Sequence, residues 1–270
     1  MNCQSPSPIR LFIIVPTLDS YATLPALVDS LSNQSWTNWR VLFVDGSSSP
    51  EHRQWLSSCC ESDRRYRWIK QDQKDPGIFG AMNLGFSVAE PDDWVIFWGS
   101  DDFASKPSAF LSVVSIIENS KFRPDLLVCR GRYIKSLNGR LSRAATFTPQ
   151  RFFPPSSFRS CLFWGSTPPH QATLFGPGSR KLLRRFAPGY RLSADLDYFL
   201  QLSSFKELRV QCTDLELVHM LDGGISAQQT RRRLQEVCYA YRSAFGGYWW
   251  FPFLLRYLRR MTTSFECFRQ

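Results

Sequence analysis

No stretch of this chain reaches the roughly 18 uninterrupted apolar residues of a membrane-spanning helix, so a transmembrane helix is not part of the reading. Eight cysteines are scattered along it, and none pairs in a C-x-x-C spacing, so zinc-ribbon and thioredoxin-like chemistry have no support. A chain of this size needs no disulfide staples, and Cys129 and Cys212 lie in apolar sequence; reduced thiols in a cytosolic protein are the expectation. Met1 to Pro8 are polar and lack the basic and then apolar regions of a secretory leader. No G-x-G-x-x-G follows the first apolar run, which removes the dinucleotide fingerprint of nicotinamide-dependent oxidoreductases. Low-complexity blocks are absent, so long disorder is not expected. Acid is the scarcer charge: 23 Asp and Glu face 33 Lys and Arg, for a formal net charge of +10. That surplus favours an anionic partner, whether nucleic acid, an acidic membrane surface or a phosphorylated small molecule. The arginines are dispersed and no recognition motif accompanies them, so nucleic acid is set aside.

With 270 residues, 43% of them hydrophobic, the chain can build one large domain or a domain with an appendage. Arg10 to Val15 reads as a buried strand stopped by Pro16, and Val41 to Val44 as a second, ending at Asp45-Gly46. Tyr66 to Ile69 is a weaker third, and Trp94 to Trp98 a fourth. Helical spacing covers Leu24 to Leu31, Ile78 to Ala89 and Lys106 to Glu118, with a short helix around Glu51 to Cys59. Strand and helix alternating four times predict an α/β fold with an open, mostly parallel sheet flanked by helices. In such sheets ligands bind at the carboxyl ends of the strands, where Pro16-Thr17, Asp45-Gly46 and Ser100-Asp101-Asp102 all fall. Further on, Leu126 to Tyr133 reads as a strand leading to a turn at Asn138-Gly139, and Phe147 to Pro169 as a long loop. His170 to Phe175 and Leu215 to Met220 read as strands, Ser179 to Phe186 as a short helix. Ser193 to Ser204 and Gln228 to Phe245 are further helices.

The sharpest local signal is Trp98-Gly99-Ser100-Asp101-Asp102-Phe103. Adjacent carboxylates at a strand mouth raise each other's pKa unless a cation sits between them. A hard divalent ion that also takes phosphate oxygens is one remedy. An Asp N-cap on the next helix, with Asp101 merely solvated, is the other reading.

Seven turns in order resemble family 2 glycosyltransferases. They are Ile14-Val15-Pro16-Thr17, Val44-Asp45-Gly46-Ser47-Ser48, the stretch Asp75 to Asn83, Gly99-Ser100-Asp101-Asp102, His170-Gln171-Ala172, Ser193 to Asp197 and Gly223-Gly224-Ile225-Ser226. The resemblance spans roughly residues 9 to 227 and implies the GT-A nucleotide-sugar-binding fold over 1–227. A C-terminal extension of amphipathic helices then covers 228–270. It implies Pro16, Thr17, Asp45, Asp75, Gly77, Asn83 and Asp101 as nucleotide- and donor-binding residues, with Asp102 as ligand of Mg²⁺ or Mn²⁺. Asp195, at the start of a later helix, would be the base for the acceptor hydroxyl, giving an inverting transfer. His170 and Asp197 would lie on the acceptor side. Local chemistry alone leaves other roles open: Asp45 as cap of its own turn, Asn83 as a solvated helix residue, Asp195 as a cap, and His170 as structural. His219 ends a strand near Asp222 and could approach the metal; His52 reads as surface. The chain departs from many such relatives at Phe79-Gly80, where they carry Tyr-Asp. It also has Leu84 where a basic residue is common, and Pro50 where an acid is common.

The implied activity is a metal-dependent, inverting glycosyltransferase of hexosyltransferase type. It would move sugar from a UDP- or GDP-linked donor to a hydroxyl of a glycan or lipid-linked acceptor in cell-envelope polysaccharide synthesis. The alternative is a catalytically silent sugar-nucleotide- or glycan-binding protein of the same fold. In the tail, Tyr248-Trp249-Trp250 and Leu254, Tyr257 and Leu258 stand beside Arg256, Arg259 and Arg260. This suits either a membrane interface or a helix docked on the catalytic domain. The expected location is the cytoplasm, or the inner face of its membrane as a peripheral protein.

Overall fold

The computed structural model describes residues 8–135, 141–145, 147, 158–222 and 229–267. The expected turn at Asn138-Gly139, residues 148–157 of the expected loop from Phe147 to Pro169, and Gly223 to Ser226 lie outside the described residues.

Parallel strands β1 (Leu11–Thr17), β2 (Trp39–Asp45), β3 (Tyr66–Lys70) and β4 (Trp94–Phe97) alternate with helices α1 (Leu24–Ser32), α2 (Pro50–Ser62) and α3 (Ile78–Val88). A short strand β5 (Asp102–Ala104) then precedes α4 (Ala109–Glu118), β6 (Leu126–Ile134) and β7 (Leu141–Ala145). The rest comprises α5 (Phe158–Phe163), a 3-10 turn at His170–Ala172, β8 (Thr173–Phe175), α6 (Pro177–Leu182), α7 (Ala194–Leu202), β9 (Val210–Leu221), α8 (Thr230–Phe245) and α9 (Trp250–Cys267). Among the described residues one sheet of nine strands forms in the order β3-β2-β1-β4-β8-β6-β9-β5, with β7 beside β6. It is mostly parallel, as expected; β8, β7 and β5 run against their neighbours.

Alternation along β1 divides the interior in two. Leu11, Ile13 and Val15 face Leu24, Leu27, Leu31, Phe110 and Val113 of α1 and α4. Phe12 and Ile14 face Phe86 of α3, Tyr198 and Phe199 of α7, and Val237 and Tyr241 of α8. Each such fully buried side chain contributes on the order of 1.5–3 kcal/mol. The C-terminal helices therefore share the second core. Phe253 and Tyr257 of α9 pack on it, while Leu254 and Leu258 are exposed. Pro252 falls in the first turn of α9, where no intrahelical donor is needed.

Several boundaries differ from the expectation. The loop before Pro169 contains α5. The last strand starts at Val210, not Leu215, because its polar first half pairs with Leu126 to Val128. The strand β5 was not expected at all; Asp102, Phe103 and Ala104 become a strand by pairing with Met220, His219 and Val218.

Candidate active site

The first wall of the site is the carboxyl edge of β1 and β2. Parallel register sets Thr17 opposite Asp45, and the Gly46 N–H donates to the Thr17 carbonyl at 2.8 Å. Thr17 is buried, its Oγ1 has no hydrogen-bond partner, and Pro16 beside it is half-buried. The Asp45 carboxylate is fully buried. It accepts from the Ser48 N–H at 3.2 Å and from Arg53 Nε at 3.1 Å, so it does cap its own turn. With about four acceptor positions, a carboxylate so placed still has capacity for a ribose or base donor. The loop after β1 and the loop after β2 clasp each other. Asp19 N–H donates to Ser48 Oγ at 2.9 Å and Ser49 N–H to Asp19 Oδ1 at 2.8 Å. Asp19 (φ +47°) and Ser47 (φ +78°) both hold left-handed backbone there, strain of the kind found around ligand sites. His52 is not on the surface. It is fully buried, 4.0 Å from Asp45, because it shares a helical face with Leu56 and Cys59; burial lowers its pKa.

The second wall is the segment leading into α3. Gly77 has φ +91°, which a side chain would strain. Gln71 Nε2 donates to the carbonyls of Asp75 and Gly77, each at 2.7 Å, closing the loop on itself. Asn83 donates to Asp75 Oδ2 at 3.2 Å and exchanges two hydrogen bonds with the Phe186 backbone, at 3.2 and 2.8 Å. Its amide ties α3 to the loop before α7 and to Asp75, so it is not the solvated helix residue of the alternative reading. A Cβ on Gly80 would lie 1.9 Å from the Asp75 carbonyl oxygen. The backbone of this loop thus lies against α3 at Gly80 and leaves no room for a side chain there.

At the end of β4, the Trp98 N–H donates to Ile14 O at 3.1 Å and its indole to Gln171 O at 2.9 Å. Asp102 does not cap the next helix: it opens β5, and Ser108 precedes α4. Asp102 is 2% exposed and accepts from the Gly99 N–H at 2.6 Å. A Cβ at Gly99 would come within 2.6 Å of Asp101 Oδ1 and 3.3 Å of Asp102 Oδ2, so both carboxylates close over a glycine-sized space. Burial, and then the Asp101 charge, push the Asp102 carboxyl well above its usual range; burial also raises Asp101. Two like charges held so are relieved by a proton or a cation. Their hard oxygens suit Mg²⁺ or Mn²⁺, which bind through one or two carboxylates and draw remaining ligands from phosphate and water. No group of three or more His, Cys, Asp or Glu among the described residues could hold a metal alone. His219 is not part of this pair. It lies opposite Phe103, and strand alternation turns it to the other face from Asp102; its Nε2 is 2.8 Å from Glu216 Oε1.

The third wall is the start of α7. Asp195 Oδ2 lies 3.4 Å from His170 Nδ1. Burial raises the Asp195 carboxyl, but His170, the Leu196 N–H and the charge of Arg256 together hold it below its ordinary value. It is thus ionised and able to take a proton. Asp197 points elsewhere, 4% exposed and accepting from Tyr190 at 3.0 Å and Gln201 at 2.6 Å. The turn before α7 is held by α8. Glu236 accepts from the N–H groups of Arg191, Leu192 and Ser193 at 3.0, 2.8 and 2.9 Å. Tyr133, on β6, has its phenol raised by burial and lies within electrostatic reach of Asp102 and Asp195 alike. The indole of Trp98, in the turn that carries Asp102, donates to Gln171 O next to His170, so the acidic turn after β4 adjoins the His170–Asp195 pair. Thr17 and Asp45 lie along the same strand edge, Asn83 bonds Asp75 of the second wall, and Asp197 bonds Tyr190 and Gln201 instead. Sequence reasoning missed Tyr133, Glu236 and Arg256; only Arg256, beside the tail aromatics, carried a signal, and it pointed to membranes.

A sequence model described as glycosyl transferase family 2 matches residues 12–185, more than half of the chain. A PGL/p-HBAD biosynthesis glycosyltransferase of Mycobacterium bovis (strain BCG / Pasteur 1173P2) is 28% identical over 186 residues, covering 69% of this chain and 66% of the relative. The chain thus spans just under two thirds of that relative. Among solved structures, S. aureus TarS 1-349 in complex with UDP-GlcNAc matches with a TM-score of 0.64 at 16% identity, over 88% of this chain and 68% of that one. The mannosyltransferase PcManGT from Pyrobaculum calidifontis, in complex with GDP-Man and Mn²⁺, matches with a TM-score of 0.61 at 13% identity, over 94% and 70%. Identities this low speak for the shared GT-A fold. With that fold and the family match over most of the sheet, the chain belongs to glycosyl transferase family 2.

Proposed function

We propose that this family 2 member is an inverting, divalent-metal-dependent glycosyltransferase that extends a glycan or lipid-linked acceptor in cell-envelope glycan synthesis. The observation that carries the reading is the link from the Asp102 turn to Asp195: Trp98 bonds Gln171 O at 2.9 Å, and the adjacent His170 lies 3.4 Å from Asp195. At one end of that link is a carboxylate pair raised by burial, and at the other a carboxylate kept ionised. Asp195 accepts the proton of the acceptor hydroxyl as that oxygen attacks the anomeric carbon. The bond from that carbon to the diphosphate oxygen breaks on the opposite side, and the configuration inverts. Asp102, with Asp101, would hold Mg²⁺ or Mn²⁺, which when bound supplies charge stabilisation to the leaving diphosphate. Thr17 and Asp45 would take the nucleoside, and Asp75 and Gly77 would close over it. The ligands of the two structural neighbours support a UDP- or GDP-linked donor. No helix among the described residues is long and apolar enough to cross a membrane. Exposed Tyr248, Trp250, Leu254 and Leu258 support peripheral contact with the inner face of the cytoplasmic membrane. The division into a catalytic domain over 1–227 and an extension over 228–270 is part of the proposal.

A thermal-shift screen of UDP-, GDP- and dTDP-sugars with and without Mn²⁺ tests it. A saturating cognate donor at 100 times its Kd stabilises by about 2.7 kcal/mol, and this stabilisation should require metal. It should vanish in Asp102→Ala. A double variant Asp101→Ala, Asp102→Ala that responds like wild type would overturn the metal site.

A further inference from the structure

Among the described residues, one buried arginine near Asp195 forms no ion pair. Arg256, on the second turn of α9, is 8% exposed. Among the described residues no carboxylate forms an ion pair with it; Asp195, the acid acting on it, is paired with His170 instead. One guanidinium nitrogen donates to Thr167 Oγ1, and Nε has no hydrogen-bond partner. The root of the side chain is pinned. A Cβ on Gly165 (φ +80°) would lie 2.5 Å from Arg256 Cα and 2.8 Å from its N, so only glycine admits this backbone. Thr167, which holds Arg256, stands three residues before His170, which holds Asp195; one short loop carries both contacts.

A buried guanidinium lacking an ion-pair partner is costly, and an arriving anion would remove the cost. Its planar fork matches phosphate oxygens better than any neutral ligand. We propose that Arg256 binds a phosphate oxyanion of the substrate at the Asp195 end of the cleft, making the C-terminal helix part of the substrate site. The ligand is either the diphosphate of the donor or the phosphate of a lipid-linked acceptor. This deepens the glycosyltransferase reading and rests on it.

Calorimetry with Mg²⁺ present, using inorganic pyrophosphate, UDP, uridine and decyl phosphate, tests the inference on wild type, Arg256→Met and Arg256→Lys. The donor source is indicated if Arg256→Met weakens pyrophosphate and UDP by about tenfold or more and leaves uridine alone. The acceptor source is indicated if only decyl phosphate weakens. Arg256→Lys keeps the charge without the fork and should fall between; it also serves if the methionine variant does not fold. The ligand-free melting temperature of Arg256→Met should hold or rise, because an unpaired buried charge has been replaced by an apolar chain. Unchanged affinity for every phosphate probe, or a lowered melting temperature alone, would make Arg256 structural and overturn the inference. Wild type that binds pyrophosphate but no sugar nucleotide would refute the donor reading and leave this one standing. Wild type that binds no phosphate probe would refute this one.

Discussion

The two ends of the cleft are built by different means. On the side proposed to take the donor, the carboxylates are placed by backbone. Asp45 stands opposite Thr17 through parallel register, and Asp102 is set by the pairing of β5 with β9. On the other side, Asp195 is placed by side chains from distant elements. Glu236 of α8 gathers three N–H groups of the preceding turn, His170 faces the carboxylate, and Arg256 of α9 lies near. Their electrostatics differ in the same sense. Burial raises Asp101 and Asp102, a state that a cation relieves, whereas the surroundings of Asp195 keep it charged. The donor side lies inside the family match at 12–185; Asp195, Glu236 and Arg256 lie beyond it. The difference teaches that one half of this site is a property of the sheet, and the other half a property of how the last helices pack.

The strongest challenge to that division is Asp195→Asn. Sugar transfer should fall by about 10²- to 10⁴-fold, as expected for a lost general base, with donor affinity by calorimetry unchanged. Retained transfer would remove the base from the acceptor end. A smaller effect is expected from Glu236→Gln, which leaves α7 intact but weakens three charge-assisted bonds. Stability by urea unfolding should drop by about 1–3 kcal/mol, and kcat by about tenfold with donor affinity preserved. A loss of donor affinity instead would show that the two ends are not separable. The smallest effect concerns His52, beneath Asp45. Burial lowers its folded-state pKa, so the unfolded chain takes up a proton that the native state resists. His52 therefore contributes stability above its unfolded value of about 6.5, and that contribution is lost as pH falls through this value toward the lower folded one. Melting curves of His52→Leu between pH 7.5 and 5 should show a shallower decline than wild type. An equal decline would mean that the donor wall admits water to this histidine.

Much of the donor half was legible because its signals are local. Apolar runs ending in Pro16-Thr17, Asp45-Gly46 and Gly99-Ser100-Asp101-Asp102 are strands followed by polar turns, and parallel strands align such turns. His52 was misread although its spacing to Leu56 and Cys59 is helical; a polar side chain on an apolar face looks like surface until its neighbours are known. The strand at Asp102 has no propensity to announce it, being three residues that pair only because β9 arrives beside them. Asn83 sat where the resemblance expected it, yet its partner is the backbone of Phe186, 103 residues away.

Residue pattern alone was enough for the alternation of strands and helices from β1 to β4 and for the sheet edge that carries the acidic turns, because periodicity and turn chemistry act within a few residues; the resemblance of those turns pointed to the family. That the Asp102 turn adjoins the His170–Asp195 pair, which carboxylate is kept ionised and which raised, and that the last helices bring Glu236 and Arg256 to Asp195, emerged only from the folded chain. Burial and charge at a site are sums over neighbours far apart in sequence, and no local window contains them.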